Sequence, residues 1–272
     1  MLNYNFYPAE KQSKQLLIML HGFISDQRTY HQRLDTLRQQ ANILLIDLPG
    51  HGEDQSSETE TWDFPFICNA LDEVLKQFAD YQLYLQGYSM GGRVALYYAI
   101  YGTMKLSGLI LESTSPGIED EEQRIERQRV DDARAKVLNL AGIEVFVNDW
   151  EKLPLFQTQK QLPKEMQRGV RELRLSQAPD RLAKALRDYG TGSMPNLWPK
   201  VEQITTPTCI IVGDLDRKFC RIAERLQPAL TNATMHVVED VGHTVNVENI
   251  TEFDNIVSVS YTHLTLPTKR IV

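Results

Sequence analysis

The sequence predicts an α/β protein: a mostly parallel central sheet flanked by helices, with a helical segment inserted into it. Three observations predict this. Short apolar runs such as Gln15-Leu16-Leu17-Ile18-Met19-Leu20 are continuous, not alternating, as in strands covered on both faces. Such runs alternate with helical stretches, which demands right-handed crossovers between parallel strands. From about residue 114 to 195 the texture changes to helical, rich in Arg and Glu, with no run that reads as a strand.

Taken in order, Leu2 to Tyr7 reads as an edge strand stopped by Pro8. The run 15–20 ends in His21-Gly22-Phe23-Ile24-Ser25, and a helix is expected over roughly 27–39. The strand Asn42-Ile43-Leu44-Leu45-Ile46-Asp47 stops at Leu48-Pro49-Gly50-His51-Gly52, a loop set by proline and glycine. A helix near 64–79 leads to the strand 81–86; a second apolar helix follows, then a strand at 106–111. Strand character resumes at 206–212 and 233–238, and a last helix is expected from about Val245 through Ile256. The core is therefore read as 1–113 and 196–257, with 114–195 a cap over the carboxyl ends of the strands, where such sheets bind ligands. Residues 258–272 are β-leaning, contain Pro267 and show no helical stripe, so they are read as a foreign tail outside the fold.

The stretch Gly87-Tyr88-Ser89-Met90-Gly91-Gly92 organises the rest. A serine between glycines two residues before and two after it, at a strand-to-helix junction, is a nucleophile elbow. The turn is so tight that larger side chains at the flanking positions would strike neighbouring backbone. Ser89 is lifted above the sheet, and the helix N-terminus lends positive potential to the space over it.

A serine hydroxyl needs a histidine to take its proton, and that histidine needs an acid to fix its tautomer. His243, in Asp240-Val241-Gly242-His243-Thr244 after the last strand, stands where the third member belongs in the order serine, acid, histidine. His21 shapes its loop, and His31, His51, His236 and His263 have no supporting pattern. The acid is Asp216 or Asp214 in Val212-Gly213-Asp214-Leu215-Asp216-Arg217; Asp216, with the longer reach, is favoured, though either could simply cap the following helix. The amides of Met90 and Phe23 are the two donors expected for an oxyanion.

Composition narrows the partners. A net charge of −7 argues against nucleic acid and anionic membrane surfaces. Cys68, Cys209 and Cys220 are widely spaced and form no CxxC pair, so neither a disulfide framework nor a metal site is expected. No phosphate loop or dinucleotide fingerprint is present, and no cofactor is expected. The first residues carry no leader pattern and no apolar run approaches the roughly 18 residues of a membrane span, which points to the cytoplasm.

With these residues in place, the chain over about 1–257 resembles the α/β-hydrolase superfamily. Within it, the chain closely resembles the 2-succinyl-6-hydroxy-2,4-cyclohexadiene-1-carboxylate synthases of menaquinone biosynthesis. The marks are Gly87 to Arg93, Ser115-Pro116-Gly117 with the acidic run and Arg127, Asp149-Trp150, and Leu173-Arg174. The resemblance implies a lyase that removes pyruvate from 2-succinyl-5-enolpyruvyl-6-hydroxy-3-cyclohexene-1-carboxylate, with Ser89 acting through His243 as base. A carboxylesterase, thioesterase or C–C bond hydrolase on the same scaffold is the alternative.

The implied substrate carries three carboxylates, and an acidic protein must meet them with local cations. Arg93 lies one turn into the elbow helix. In the cap, Val130, Ala133 and Val137 are expected to form an inward stripe that Arg127 extends, and Arg174 shares a face with Met166, Val170 and Leu173. An arginine on the apolar side of a helix is costly unless it meets an anion. Tyr88 and Trp150 are expected as pocket walls.

Overall fold

The computed structural model of the protein describes residues 2–263. Its strands are β1 (Tyr4–Tyr7), β2 (Gln15–Leu20), β3 (Asn42–Ile46), β4 (Gln82–Tyr88), β5 (Leu106–Glu112), β6 (Thr208–Gly213) and β7 (Ala233–Val238). Its helices are α1 (Leu34–Leu37), α2 (Phe64–Leu75), α3 (Met90–Tyr101), α4 (Glu121–Trp150), α5 (Lys164–Leu175), α6 (Pro179–Tyr189), α7 (Arg217–Ala229), α8 (Val245–Glu248) and α9 (Ile250–His263). Short 3₁₀ segments, including Gln27–Arg33 and Pro154–Gln161, join them.

The sheet order is β1-β3-β2-β4-β5-β6-β7, with β1 antiparallel at the edge and every other pairing parallel. The continuous apolar runs are explained by burial on both faces. Leu16, Ile18 and Leu20 pack into one core with α2 and α3, while Leu17 and Met19 pack into the other with α1 and α9. The chain order reverses beside β2, so β2 and β4 are neighbours whose carboxyl ends open a crevice at the switch point. Phe23 and Met90 follow these two strands.

Between β5 and β6 the described residues contain helices and no strand. The segment leaves and returns at one place: the Leu197 amide donates to Pro116 O at 2.8 Å, and the Trp198 indole to Gly117 O at 3.3 Å. α4 is two helices in one, broken at Gly142, whose φ of 80° a side chain would oppose. The break turns Phe146 and Trp150 onto Phe23.

Two expectations need correction. The inward side of α4 is formed by Asp131, Ala135 and Leu138, while Ala133 and Val137 face solvent. The helix presents the turn that seats Asp131 against the Gly192 amide, a polar anchor that an apolar count misses. The last helix is also longer than expected: a short α8 is followed by α9, which runs on through 258–263. Its buried stripe continues from Phe253, Ile256 and Val257 to Ser260, whose hydroxyl returns to Ile256 O at 2.7 Å. A small serine holds the inward position where an apolar residue was looked for. Residues 264–272 of the expected tail lie outside the described residues.

Candidate active site

Ser89 adopts φ 50° and ψ −103°, a conformation costly for a non-glycine residue. The surroundings over-determine it. The Ser89 amide donates to Glu112 O at 2.8 Å, and the Thr114 hydroxyl donates to Ser89 O at 2.8 Å. A Cβ at Gly87 would strike the Gly91 carbonyl, and one at Gly91 would strike Leu20 O, so only glycine lets β4, α3 and β2 approach this closely.

The Ser89 hydroxyl lies 3.0 Å from His243 Nε2, and His243 Nδ1 lies 2.6 Å from Asp216 Oδ2. With Nδ1–H donating to the carboxylate, Nε2 is left as acceptor for the serine proton. Of the two acids, Asp216 is the one that meets the imidazole. Its second oxygen accepts the Phe219 amide at 3.3 Å, so one carboxylate both caps α7 and orients the imidazole. Asp214 instead accepts the Val241 amide at 3.3 Å, in the loop that carries His243.

Phe23 and Met90 both line the same chamber. Ile24 beside Phe23 has φ 56°, a genuine outlier for a β-branched residue, so backbone strain sits on both sides of the cavity. His21 is buried beneath this loop: its Nε2 accepts the Leu48 amide at 3.0 Å and its Nδ1–H reaches Gly22 O at 2.7 Å, a structural role. His51 is also buried, beside Phe23, and burial lowers its pKa to about 3, so it is neutral.

The chamber has a volume of about 540 Å³ and is walled by α4, α5, α6 and the Pro154–Gln161 segment. It brings together all ten residues singled out in the sequence. Tyr88 is buried, with its hydroxyl 2.8 Å from Thr244 Oγ1, and burial raises its pKa. Trp150 stacks near Phe146 and Phe23; its indole nitrogen is buried and has no hydrogen-bond partner among the described residues.

The three arginines differ in their surroundings. Arg93 is 8% exposed and donates to Tyr189 O at 3.3 Å; no carboxylate among the described residues stands within ion-pair distance. Burial, and then the charge of Arg127, lower its pKa to about 10. Arg127 donates from Nε to Asp131 at 2.8 Å. Arg174 meets Glu151 at 3.1 Å and Gln159 at 2.8 Å. Gln159 passes the chain on to Thr244 Oγ1 at 3.0 Å, which links a helical-segment arginine to the residue after His243.

Sequence reading missed this second layer. Glu151, Gln159, Asp131 and Arg134 belong to no motif. Glu112 did leave a signal, an acid ending an otherwise apolar strand. It is buried, and its carboxylate accepts the Asn246 amide at 2.8 Å and the Asn246 side chain at 2.9 and 3.0 Å. Burial raises its pKa to about 7. Among the described residues no cluster of His, Cys, Asp or Glu could hold a metal, and no helix is long and apolar enough to cross a membrane.

Residues 15–250 match the family model of the alpha/beta hydrolase fold. The solved structure of MenH from S. aureus is 52% identical, with a TM-score of 0.96, over 98% of this chain and 100% of that one. A Bacillus subtilis (strain 168) protein provisionally named 2-succinyl-6-hydroxy-2,4-cyclohexadiene-1-carboxylate synthase is 35% identical over 90% of both chains. A Photorhabdus laumondii synthase of that name is 30% identical over 89% of this chain and 84% of its own. A thermophilic esterase from Thermogutta terrifontis, 20% identical with a TM-score of 0.84 over 97% of this chain and 94% of its own, shares the fold. The chain belongs to the α/β-hydrolase fold family and, within it, to the 2-succinyl-6-hydroxy-2,4-cyclohexadiene-1-carboxylate synthases.

Proposed function

We propose that the protein is a carbon–oxygen lyase that eliminates pyruvate from 2-succinyl-5-enolpyruvyl-6-hydroxy-3-cyclohexene-1-carboxylate to give 2-succinyl-6-hydroxy-2,4-cyclohexadiene-1-carboxylate, with Ser89, His243 and Asp216 as its base. The observation that carries the reading is Arg93: a buried guanidinium one turn from Ser89, in the same chamber, without a carboxylate partner among the described residues. Such a charge is costly unless the ligand supplies the anion. A neutral ester would leave it unmatched, whereas a tricarboxylate meets it.

The chemistry follows from the substrate. The ring proton at C2 lies α to the succinyl carbonyl, so its loss places charge on that oxygen, which the Phe23 and Met90 amides stabilise in this reading. Ser89 takes the proton as His243 takes the serine's, and Asp216 holds the imidazolium. The electron pair moves through the ring alkene, forming double bonds at C2–C3 and C4–C5, and expels the enolpyruvyl oxygen from C5. His243 returns the proton as pyruvate leaves. No acyl-enzyme forms, and no cofactor takes part.

In this reading 114–195 acts as a cap that delivers Arg127 and Arg174, with Tyr88 and Trp150 as chamber walls. The reaction belongs to the cytoplasm, where free thiols such as Cys68, Cys209 and Cys220 persist. The test is direct. Incubation with the enolpyruvyl cyclohexene should release pyruvate and diene absorbance in equal amounts, with quenched enzyme unmodified by mass spectrometry. A Ser89 adduct carrying a substrate fragment, with no pyruvate, would instead establish the hydrolase alternative.

A further inference from the structure

The chamber is unevenly charged, and the imbalance singles out a residue outside the relay and the three arginines. At one end Arg174 is matched by Glu151 at 3.1 Å. Elsewhere on the lining stand Arg93, Arg127, Arg134, Arg217 and Lys218. Among the described residues the acid beside Arg127 and Arg134 is Asp131, at 2.8 and 3.9 Å, while Asp216 is engaged by His243.

Lys218 is the second residue of α7, two beyond Asp216, so the capped first turn fixes its position on the lining. Its ammonium lies 5.6 Å from the Phe219 ring, which itself packs 4.6 Å from the His243 ring. No ion-pair partner stands within 4.0 Å of it among the described residues. The residue is exposed at the rim, yet burial of its ammonium and the facing charge of Arg127 lower its pKa, with Asp216 opposing. Like charges turned toward a common space repel unless an anion enters it.

We propose that Lys218 is a substrate-binding residue that pairs with Arg127 to form a subsite for one carboxylate of a polycarboxylate ligand. The inference rests on the lyase reading for the identity of that ligand. Position at the rim assigns Lys218 to capture, not to proton abstraction.

Lys218→Ala should lower kcat/KM on the cyclohexene tricarboxylate about five- to twentyfold, almost wholly through KM, as expected for one hydrogen bond to a charged group. Lys218→Arg should keep most of the activity. The deficit should shrink as ionic strength rises toward about 0.5 M. Lys105→Ala, an exposed lysine outside the chamber, should match wild type. Citrate, a small tricarboxylate, reads the subsite without turnover: by calorimetry it should bind wild type several-fold more tightly than Lys218→Ala. If wild type fails on the cyclohexene but citrate still separates the two proteins, the lyase reading falls and the subsite stands. Equal citrate binding by wild type and Lys218→Ala, including none by either, overturns the proposal.

Discussion

Glu248 brackets His243. One carboxylate oxygen accepts the Gly242 amide at 2.8 Å and the other accepts the Thr244 amide at 3.1 Å, so the peptide units on both sides of the imidazole are tied to a single side chain. Glu248→Gln keeps the shape but turns an NH₂ toward one of those N–H groups. It should reduce kcat about ten- to a hundredfold with KM within about twofold, and cost about 1–3 kcal/mol of stability. Steady-state kinetics beside thermal denaturation would check this; a loss confined to KM would contradict a positioning role.

Ser89→Ala, His243→Ala and Asp216→Asn should each reduce kcat by about three orders of magnitude or more, and pairs of them should cost little beyond the worse single change. Asp214→Asn keeps the oxygen that accepts the Val241 amide and should stay within about tenfold of wild type. Reversal of the two aspartate results would unseat the assignment of the acid.

Arg93→Ala, Arg127→Ala and Arg174→Ala should each lose about 2–5 kcal/mol of kcat/KM on the tricarboxylate, with lysine restoring part of it. Arg93 adds a sharper expectation. Because it is buried without an acid partner among the described residues, Arg93→Met should raise the melting temperature of the ligand-free protein while abolishing turnover. A lowered melting temperature would show that the guanidinium supports the fold.

Glu112 provides a test by pH. Burial raises its folded pKa from 4.5 to about 7, so over that range the folded chain binds a proton that the unfolded chain has released. Stability from this group is therefore full below about pH 4.5 and is lost as pH rises to about 7, on the order of 3 kcal/mol in total. Asp254, raised to about 6 by burial with the Arg33 charge opposing, follows the same sign but is common to both proteins. Stability of wild type relative to Glu112→Gln should thus fall between pH 5 and 8, measured by urea titration. A constant difference would show no proton uptake on folding.

The sheet was legible because both-face burial writes itself as continuous apolar runs, and the elbow because steric crowding at Gly87 and Gly91 leaves only one residue type. Relay order followed from strand order, and Arg93 from its distance along α3. What stayed hidden depends on side chains meeting across elements. The inward side of α4 is fixed by Asp131 reaching the Gly192 amide, not by the apolar residues expected there. Gln159 and Glu248 are ordinary polar residues until folding sets them beside Thr244. The continuation of α9 through Ser260 was missed because a small hydroxyl can occupy a buried helical position.

The tie between Pro116 and Leu197 at the neck of the segment between β5 and β6 has an evolutionary reading. Ser89, Asp216 and His243 all lie outside it, on turns anchored to the sheet, while Arg127, Trp150 and Arg174 all lie within it. Since the chain departs and rejoins at one hydrogen-bonded point, a different segment could be spliced there without disturbing the serine, imidazole or carboxylate. Selection can then treat chemistry and clientele as separately heritable traits. A lineage could change what the chamber admits by recombination at this one neck, long before any point mutation altered the serine, imidazole or carboxylate.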